Sequence, residues 1–414
     1  MTEIVKDSIE IKLKIKDRIE QIRQGIVPEG YKKTRIGIIP EEWDVKALGD
    51  IAKVVSGGTP KTTIDEYWNG TVMWATPTDI TSSKKYIFNT ERAITQLGLE
   101  KSSAKILPRN SILMTSRATI GEMAINKVPM ATNQGFKSLV PNKHTNYEYL
   151  YFLLAIYKRD LYNLANGSTF LEVATRDVQR LRVYYPPFKE QQQIANILST
   201  WDRAIELKEA LIKEKEEQKK SITDKLLTPK PYWKTKRLEE IVDRAKGKPV
   251  KTFVNGKYKI LDTEYLNSKT EPKYTNEAPV FANKEDILLL WDGSNAGRIY
   301  TNFEGVVGST FMRLRPKGVN NVFIRDLMRK DEPFIMSIRE GSGIPHIPRD
   351  FLSYYKIHLP PKKEQDNIAE VLLKFEHQIT LLEKELSLLK EQKKGLMQLL
   401  LTGIVRVGEV GKLE

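Results

Sequence analysis

Pro186-Pro187-Phe188-Lys189-Glu190-Gln191 reappears 174 residues later as Pro360-Pro361-Lys362-Lys363-Glu364-Gln365. The offset holds without a gap through Ile194-Ala195 and Ile368-Ala369, then Gln218-Lys219-Lys220 and Gln392-Lys393-Lys394. It ends at Leu226-Leu227-Thr228 and Leu400-Leu401-Thr402, with 18 of 43 aligned positions identical. This is an internal duplication, and a duplication sets the architecture before any local pattern does.

Each copy reads as one long helix. Proline is tolerated in a first turn, and Glu190 then sits near the positive end of the helix dipole. From Glu190 to Thr228 there is neither Gly nor Pro, which at about 1.5 Å per residue gives a rod of roughly 60 Å. Steps of four and three pick out Ile194, Leu198, Trp201, Ile205, Lys208, Ile212, Lys215, Lys219, Ile222 and Leu226 in the first copy. In the second they pick out Ile368, Leu372, Phe375, Ile379, Leu382, Leu386, Leu389, Lys393, Leu396 and Leu400. Seven and nine of the ten positions are apolar, the pattern of a coiled-coil seam. Two helices with equivalent faces have each other as the simplest partner, and an antiparallel pairing would place the flanking blocks at opposite ends. Lys208, Lys215 and Lys219 interrupt the first seam; they either snorkel at its rim or turn towards another subunit.

Outside the helices the echo is weaker. Trp43, Leu48 and Ile51 share their spacing with Trp233, Leu238 and Ile241, and Gly167-Ser168 matches Gly341-Ser342 at the 174 offset. Gly25-Ile26-Val27, nine residues after Lys16, resembles Gly403-Ile404-Val405, nine after Lys394. The amino-terminal arm is therefore expected to complete the repeat unit that the carboxyl end begins, in a closed, pseudo-twofold molecule. The predicted organisation is an arm (1–35), a first block (36–185), a central helix (186–229), a second block (230–359), a second helix (360–402) and a tail (403–414). Short apolar runs such as 51–55, 112–115, 258–261 and 287–291 alternate with Gly, Pro and Asn turns, so each block is mixed α and β. Each ends in a strand, 181–185 or 354–359, that feeds its helix.

The 414 residues carry 67 Lys plus Arg against 53 Asp plus Glu, a net charge of +14. The two helices are each neutral and the tail is neutral, while the arm carries +3, the first block +4 and the second +7. Most of the excess sits on the two blocks, where a polyanion would bind. There is no cysteine, which excludes disulfides, thiolate metal sites and a Cys nucleophile. The four histidines, His144, His346, His358 and His377, supply metal or triad chemistry poorly. No apolar run reaches 18 residues; the expectation is a soluble, cytoplasmic, basic protein.

Catalytic motifs are missing. Tyr185-Pro186-Pro187-Phe188 superficially resembles the Asn/Asp-Pro-Pro-aromatic motif of amino-methyltransferases, but Tyr185 stands where a side-chain acceptor must hold the amine. Gly247-Lys248 is followed by Pro249 and lacks the upstream glycine of a phosphate-binding loop. The chain reads as non-catalytic, with no metal site and no directly bound cofactor.

Two variable blocks alternating with Pro-Pro-x-x-Glu-Gln-x-x-Ile-Ala helices resemble the specificity subunit of type I restriction–modification systems. Ile39-Pro40-Glu41-Glu42-Trp43 with Leu48-Gly49-Asp50-Ile51, and the run Leu400 to Val405, carry the same resemblance. It implies an α+β fold: two globular mixed α/β target-recognition domains separated by two long helices that form an antiparallel coiled coil. It further implies double-stranded DNA as ligand, each domain reading half of a split target. Two methyltransferase subunits would use S-adenosylmethionine to methylate adenine, and motor–nuclease restriction subunits would use ATP and Mg to cleave.

Base-reading residues do not follow from the resemblance. Groove chemistry favours Arg on guanine and Asn or Gln on adenine, with Lys and Ser/Thr on phosphate. Candidates in the first block are Lys84, Lys85, Arg117, Asn133 and Gln134; in the second, Lys246, Lys248, Ser294, Asn295, Arg298, Arg339 and His346. For each, a solvated surface position is the competing reading. A coiled-coil adaptor whose basic blocks bind RNA or an acidic protein, and a self-sufficient methyltransferase, are the alternative functions.

Overall fold

The two proline pairs stop just short of their helices. In the computed structural model, which describes residues 3–166, 171–268 and 270–410, the central helix runs Phe188–Leu226 and the terminal helix Lys362–Leu401. Gly167 and Ser168 lie outside the described residues. The prolines cap rather than occupy the first turn. Pro187 O accepts from the amides of Glu190 and Gln191, at 2.9 and 3.0 Å, and Pro361 O accepts from Glu364 and Gln365, at 2.8 and 3.1 Å. A proline has no N–H to leave orphaned there, and its carbonyl is free to start the ladder.

The glutamine of each motif ties its helix to the block before it. Gln191 Nε2 donates to Pro186 O and its Oε1 accepts from Asn146 N, both at 2.9 Å. Gln365 repeats both bonds with Pro360 O and Asn320 N, again at 2.9 Å. Asn146 caps helix Tyr147–Ile156 through its side chain, and Asn320 caps helix Asn321–Lys330. Both glutamines are buried, so each amide has its partners inside the protein, as burial of a polar group requires.

The chain divides into two units, 1–207 with 387–414 and 208–386. The division falls inside the long helices rather than at their ends, because each unit holds a segment of both helices beneath its own head. In the first unit Ile194, Leu198, Leu400 and Leu401 share one apolar cluster with Trp43, Leu48 and Ile51. In the second, Ile368, Leu372 and Leu227 join Trp233, Leu238 and Ile241. Within the second unit Lys208 lies 2.7 Å from Glu385 and Lys219 lies 2.8 Å from Glu376, so the helices run antiparallel. All twenty seam positions are buried or half-buried. The lysines that interrupt the first seam stay at its rim: Lys208 and Lys219 reach carboxylates on the facing helix, and Lys215 reaches Gln218 at 3.1 Å.

The head of the first unit is opened and closed by one strand pair, Asp44–Ala47 with Arg182–Tyr185. Between them lies a five-stranded sheet in the order Ala52–Ser56, Lys137–Pro141, Ile112–Met114, Met123–Asn126 and Tyr86–Ile87, beside a three-stranded sheet centred on Trp68–Ala75. The second head repeats the plan. Lys234–Arg237 pairs with Lys356–Leu359, and a sheet runs Val242–Lys246, Phe311–Pro316, Ile287–Leu290 and Ile299–Thr301. A second four-stranded sheet is built around Tyr258–Leu261 and Gly305–Val307.

The arm, helix Glu3–Arg23 followed by hairpin Tyr31–Thr34 and Gly37–Pro40, packs in the first unit. Ile15 joins that unit's core. Tyr31 Oη donates to Gly403 O at 2.8 Å, and Arg18 donates to Ile404 O at 2.7 Å and grips Glu409 with both terminal nitrogens. Gly25 and Gly403, matched in sequence, have φ of +75° and +74°. Both end a helix in the left-handed conformation that glycine adopts without strain.

Candidate nucleic-acid interface

In each head a hairpin of the main sheet carries a polar loop. In the first unit it joins Ile112–Met114 to Met123–Asn126 and contains Arg117. Arg117 Nε donates to Glu172 Oε2 at 2.7 Å, and Lys137 Nζ, on a lysine only 6% exposed, donates to Glu172 Oε1 at 2.9 Å. Burial pushes the Glu172 carboxyl up, but the hydrogen bonds from Lys137 and Arg117 outweigh it and hold the group below the usual carboxylate range. Arg117 keeps an exposed face.

The equivalent loop of the second unit, between Ile287–Leu290 and Ile299–Thr301, gathers most of that head's candidates. Lys246 Nζ lies 2.6 Å from Asp292 Oδ2. Arg339 donates to Ser294 O and, at 2.5 Å, to Met336 O. Gly293 N donates to Pro345 O at 2.8 Å, which seats the loop beside His346. Ser294, Asn295, Arg298 and Arg339 are exposed and His346 is half-buried. Lys248 is also exposed, just past Gly247. A Cβ at Gly247 would sit 2.0 Å from Gly308 O, and one at Gly57 would sit 1.9 Å from Asn133 O. In both heads the first strand therefore leaves the sheet by a crossing that admits only glycine.

The remaining candidates of the first head scatter. Gln134 is exposed, accepting from the Thr59 hydroxyl, and Asn133 is half-buried, its Oδ1 accepting from Gly135 N at 2.9 Å. Lys84 is exposed. Lys85 is not: it is 8% exposed and donates to Ser199 Oγ on the central helix at 2.7 Å. It therefore leaves the set of DNA-contacting candidates, because the chain bends at Lys85, just before strand Tyr86–Ile87, and the side chain turns to the central helix.

Glu172, Lys137 and Asp292 were not singled out from the sequence. A signal existed. Glu172 and His346 differ by 174 residues, as do Asn166 and Glu340. The bridges Asn166–Glu172 and Arg117–Glu172 in one head match Glu340–His346 and Asp292–His346 in the other. Among the described residues, no cluster of His, Asp and Glu has the geometry of a metal site. No helix there is long and apolar enough to cross a membrane.

Two like-built mixed α/β heads, each docked on antiparallel helices, define a twin-headed recognition architecture. The type I restriction modification DNA specificity domain matches residues 40–217 and again 231–391, and the chain belongs to that family. The type I restriction enzyme MjaIX specificity subunit of Methanocaldococcus jannaschii is 42% identical over 181 residues, 43% of this chain and 42% of that protein. The match thus spans less than half of that relative's length. The MjaX specificity subunit of the same organism is 27% identical over 92% of this chain and 97% of its own. The S subunit of a type I restriction–modification system from M. genitalium superposes with a TM-score of 0.54 at 16% identity, covering 87% of this chain and 96% of that one. A chain solved in work on complex assembly and conformational transition of the type I R-M system gives 0.57 at 17% identity, covering 89% and 99%. These two likenesses show the fold.

Proposed function

We propose that this chain is the address-reading subunit of a type I restriction–modification complex, each head recognising one half of a split double-stranded DNA target. The observation that carries the reading is the hairpin loop repeated in both heads, which carries Arg117 in one head and in the other is met by Lys246, from strand Val242–Lys246, and by Arg339. Cations held in place by hydrogen bonds and ion pairs position a reader on phosphates, and polar side chains such as Asn295 and Gln134 can then meet base edges. The chemistry belongs to partners: two methyltransferase subunits using S-adenosylmethionine on adenine, and motor–nuclease subunits using ATP and Mg. A target adenine would be flipped out of the duplex into such a partner.

The test is selection from a random duplex pool by the purified full chain at a salt concentration that suppresses phosphate binding. Two short fixed sequences separated by unselected base pairs are the expected result. Equal retention of all sequences, or preference for RNA, overturns the reading. Methyl transfer to the selected DNA should require an added methyltransferase subunit; transfer by the chain alone would make it an enzyme.

A further inference from the structure

Away from these hairpin loops, each head meets its helices through buried or half-buried charge. In the first unit Lys85 Nζ lies 2.7 Å from Ser199 Oγ, 3.6 Å from Asp202 Oδ2 and 3.8 Å from Glu148 Oε2. The Phe152 ring centroid is 4.3 Å away. Asp202 is also ion-paired with Lys393 of the terminal helix. One carboxylate on the central helix therefore joins a head lysine to the facing helix. In the second unit Glu376, on the terminal helix, does the same work. It holds Lys219 of the central helix at 2.8 Å, and Arg325 and Arg329 of the head helix Asn321–Lys330 at 2.8 and 3.7 Å.

Asp202 and Glu376 occupy the same place in the two repeat copies, and so do Lys219 and Lys393. The head cations do not. The position matching Arg325 is Tyr151, whose ring centroid lies 6.0 Å from Lys85 Nζ. The two heads thus deliver a cation to equivalent carboxylates from non-equivalent elements, the lead-in to strand Tyr86–Ile87 and the helix Asn321–Lys330. Inherited duplication accounts for the carboxylates but not for the cations. Nor does stability demand the charges, since apolar side chains of similar volume commonly replace buried ion pairs without loss. What charged hydrogen bonds supply that apolar contacts do not is a narrow angular well.

We propose that Lys85 and Arg325 are positioning residues that fix the orientation of each head on the helices of its own unit, and so govern selection of one half of the DNA target each. The inference rests on the DNA-reading function for its second clause and on geometry alone for its first. The absence of cysteine makes the geometric part directly measurable. Cysteines introduced at exposed Lys105 in the first head and exposed Arg203 on the central helix would carry the only spin labels in the full chain.

The expected result is a narrow distance distribution in the parent, a broadened one in Lys85→Met, and a narrow one again in Lys85→Arg. Ser199→Ala removes the nearest acceptor without stranding a charge, and it should broaden the distribution even if Lys85→Met fails to fold. In the DNA selection Lys85→Met should lose about tenfold in preference within one half-sequence and keep the other. Arg325→Met should show the reverse, with Arg325→Lys partly restoring it. A narrow distribution in both Lys85→Met and Ser199→Ala, or a lower melting temperature with both half-sequences retained, overturns the inference. A parent chain that selects no split sequence overturns the functional reading instead, and the label distances still decide the orienting role.

Discussion

Lys393 on the terminal helix is ion-paired with Asp202 on the central helix, and the repeat returns the same bond with the helices exchanged, as Lys219 with Glu376. Each copy's acid takes the other copy's lysine. That reciprocity is what an antiparallel pair of duplicated helices must show when a polar position is kept in the seam.

Seam charges differ in worth by their surroundings. The pair Lys208–Glu385 has a mostly exposed acid, whereas Lys219 and Glu376 are both about three-quarters covered. A double-mutant cycle on Lys208 and Glu385 should give a coupling of at most about 0.5 kcal/mol. The Lys219–Glu376 cycle should give roughly 1–3 kcal/mol. Urea titration of the four variants of each cycle measures both, and equal couplings would contradict the burial argument.

Leu198 and Leu372 hold the same repeat position and are fully buried, one in each unit's core. Leu198→Ala and Leu372→Ala should each cost about 2–5 kcal/mol from lost burial and the cavity left behind. Hydrogen exchange should show the loss in residues of the first unit for Leu198→Ala and of the second for Leu372→Ala. Protection lost evenly over both units would mean that the cores are not separate.

Gln191→Leu and Gln365→Leu should destabilise alike, by roughly 1–3 kcal/mol each, because each strands one amide N–H and one proline carbonyl. Thermal melts check this. A large asymmetry would show that the shared bonds do not carry shared energy.

Glu376 gives a pH signature. Burial raises its carboxyl, but the hydrogen bond from Lys219 and the charge of Arg325 outweigh it, and the folded value falls below the ordinary 4.5. A depressed acid contributes stability that is complete above the unfolded value and is lost as pH falls through the folded one. Parent and Glu376→Gln should therefore differ most in melting temperature at neutral pH and converge below about pH 4.5. A gap that stays constant down to pH 3 would assign the effect to packing.

Glu172 restrains Arg117 and Lys137 together. Glu172→Gln should strengthen binding to non-specific duplex DNA and steepen its salt dependence, while Arg117→Ala should flatten the slope by about one unit. Fluorescence anisotropy over a salt series reads both, and unchanged slopes would remove this loop from the interface.

The helices were legible because their information is local. Proline pairs, a four-three apolar spacing and a fixed offset need no knowledge of distant residues, and strand Tyr258–Leu261 was readable for the same reason. What the sequence hid was orientation and distance. Lys84 and Lys85 are indistinguishable as letters, and only the bend before strand Tyr86–Ile87 leaves the first exposed and turns the second onto Ser199. Arg117 meets Glu172, 55 positions further along the chain, and no periodicity announces such a pair. The arm was legible from its glycine echo because a helix stop at positive φ demands one residue type.

The division of the chain into residues 208–386 and a remainder joined from both sides has a consequence for biosynthesis. Domains are usually completed in the order in which a ribosome releases them, amino-terminal first. Here that order is inverted. The second head has its whole complement once residue 386 has emerged, while the first still lacks Leu400 and Leu401, which share its core with Ile194 and Leu198. Nascent chains halted before residue 387 should carry a finished carboxyl-terminal head and an unfinished amino-terminal one.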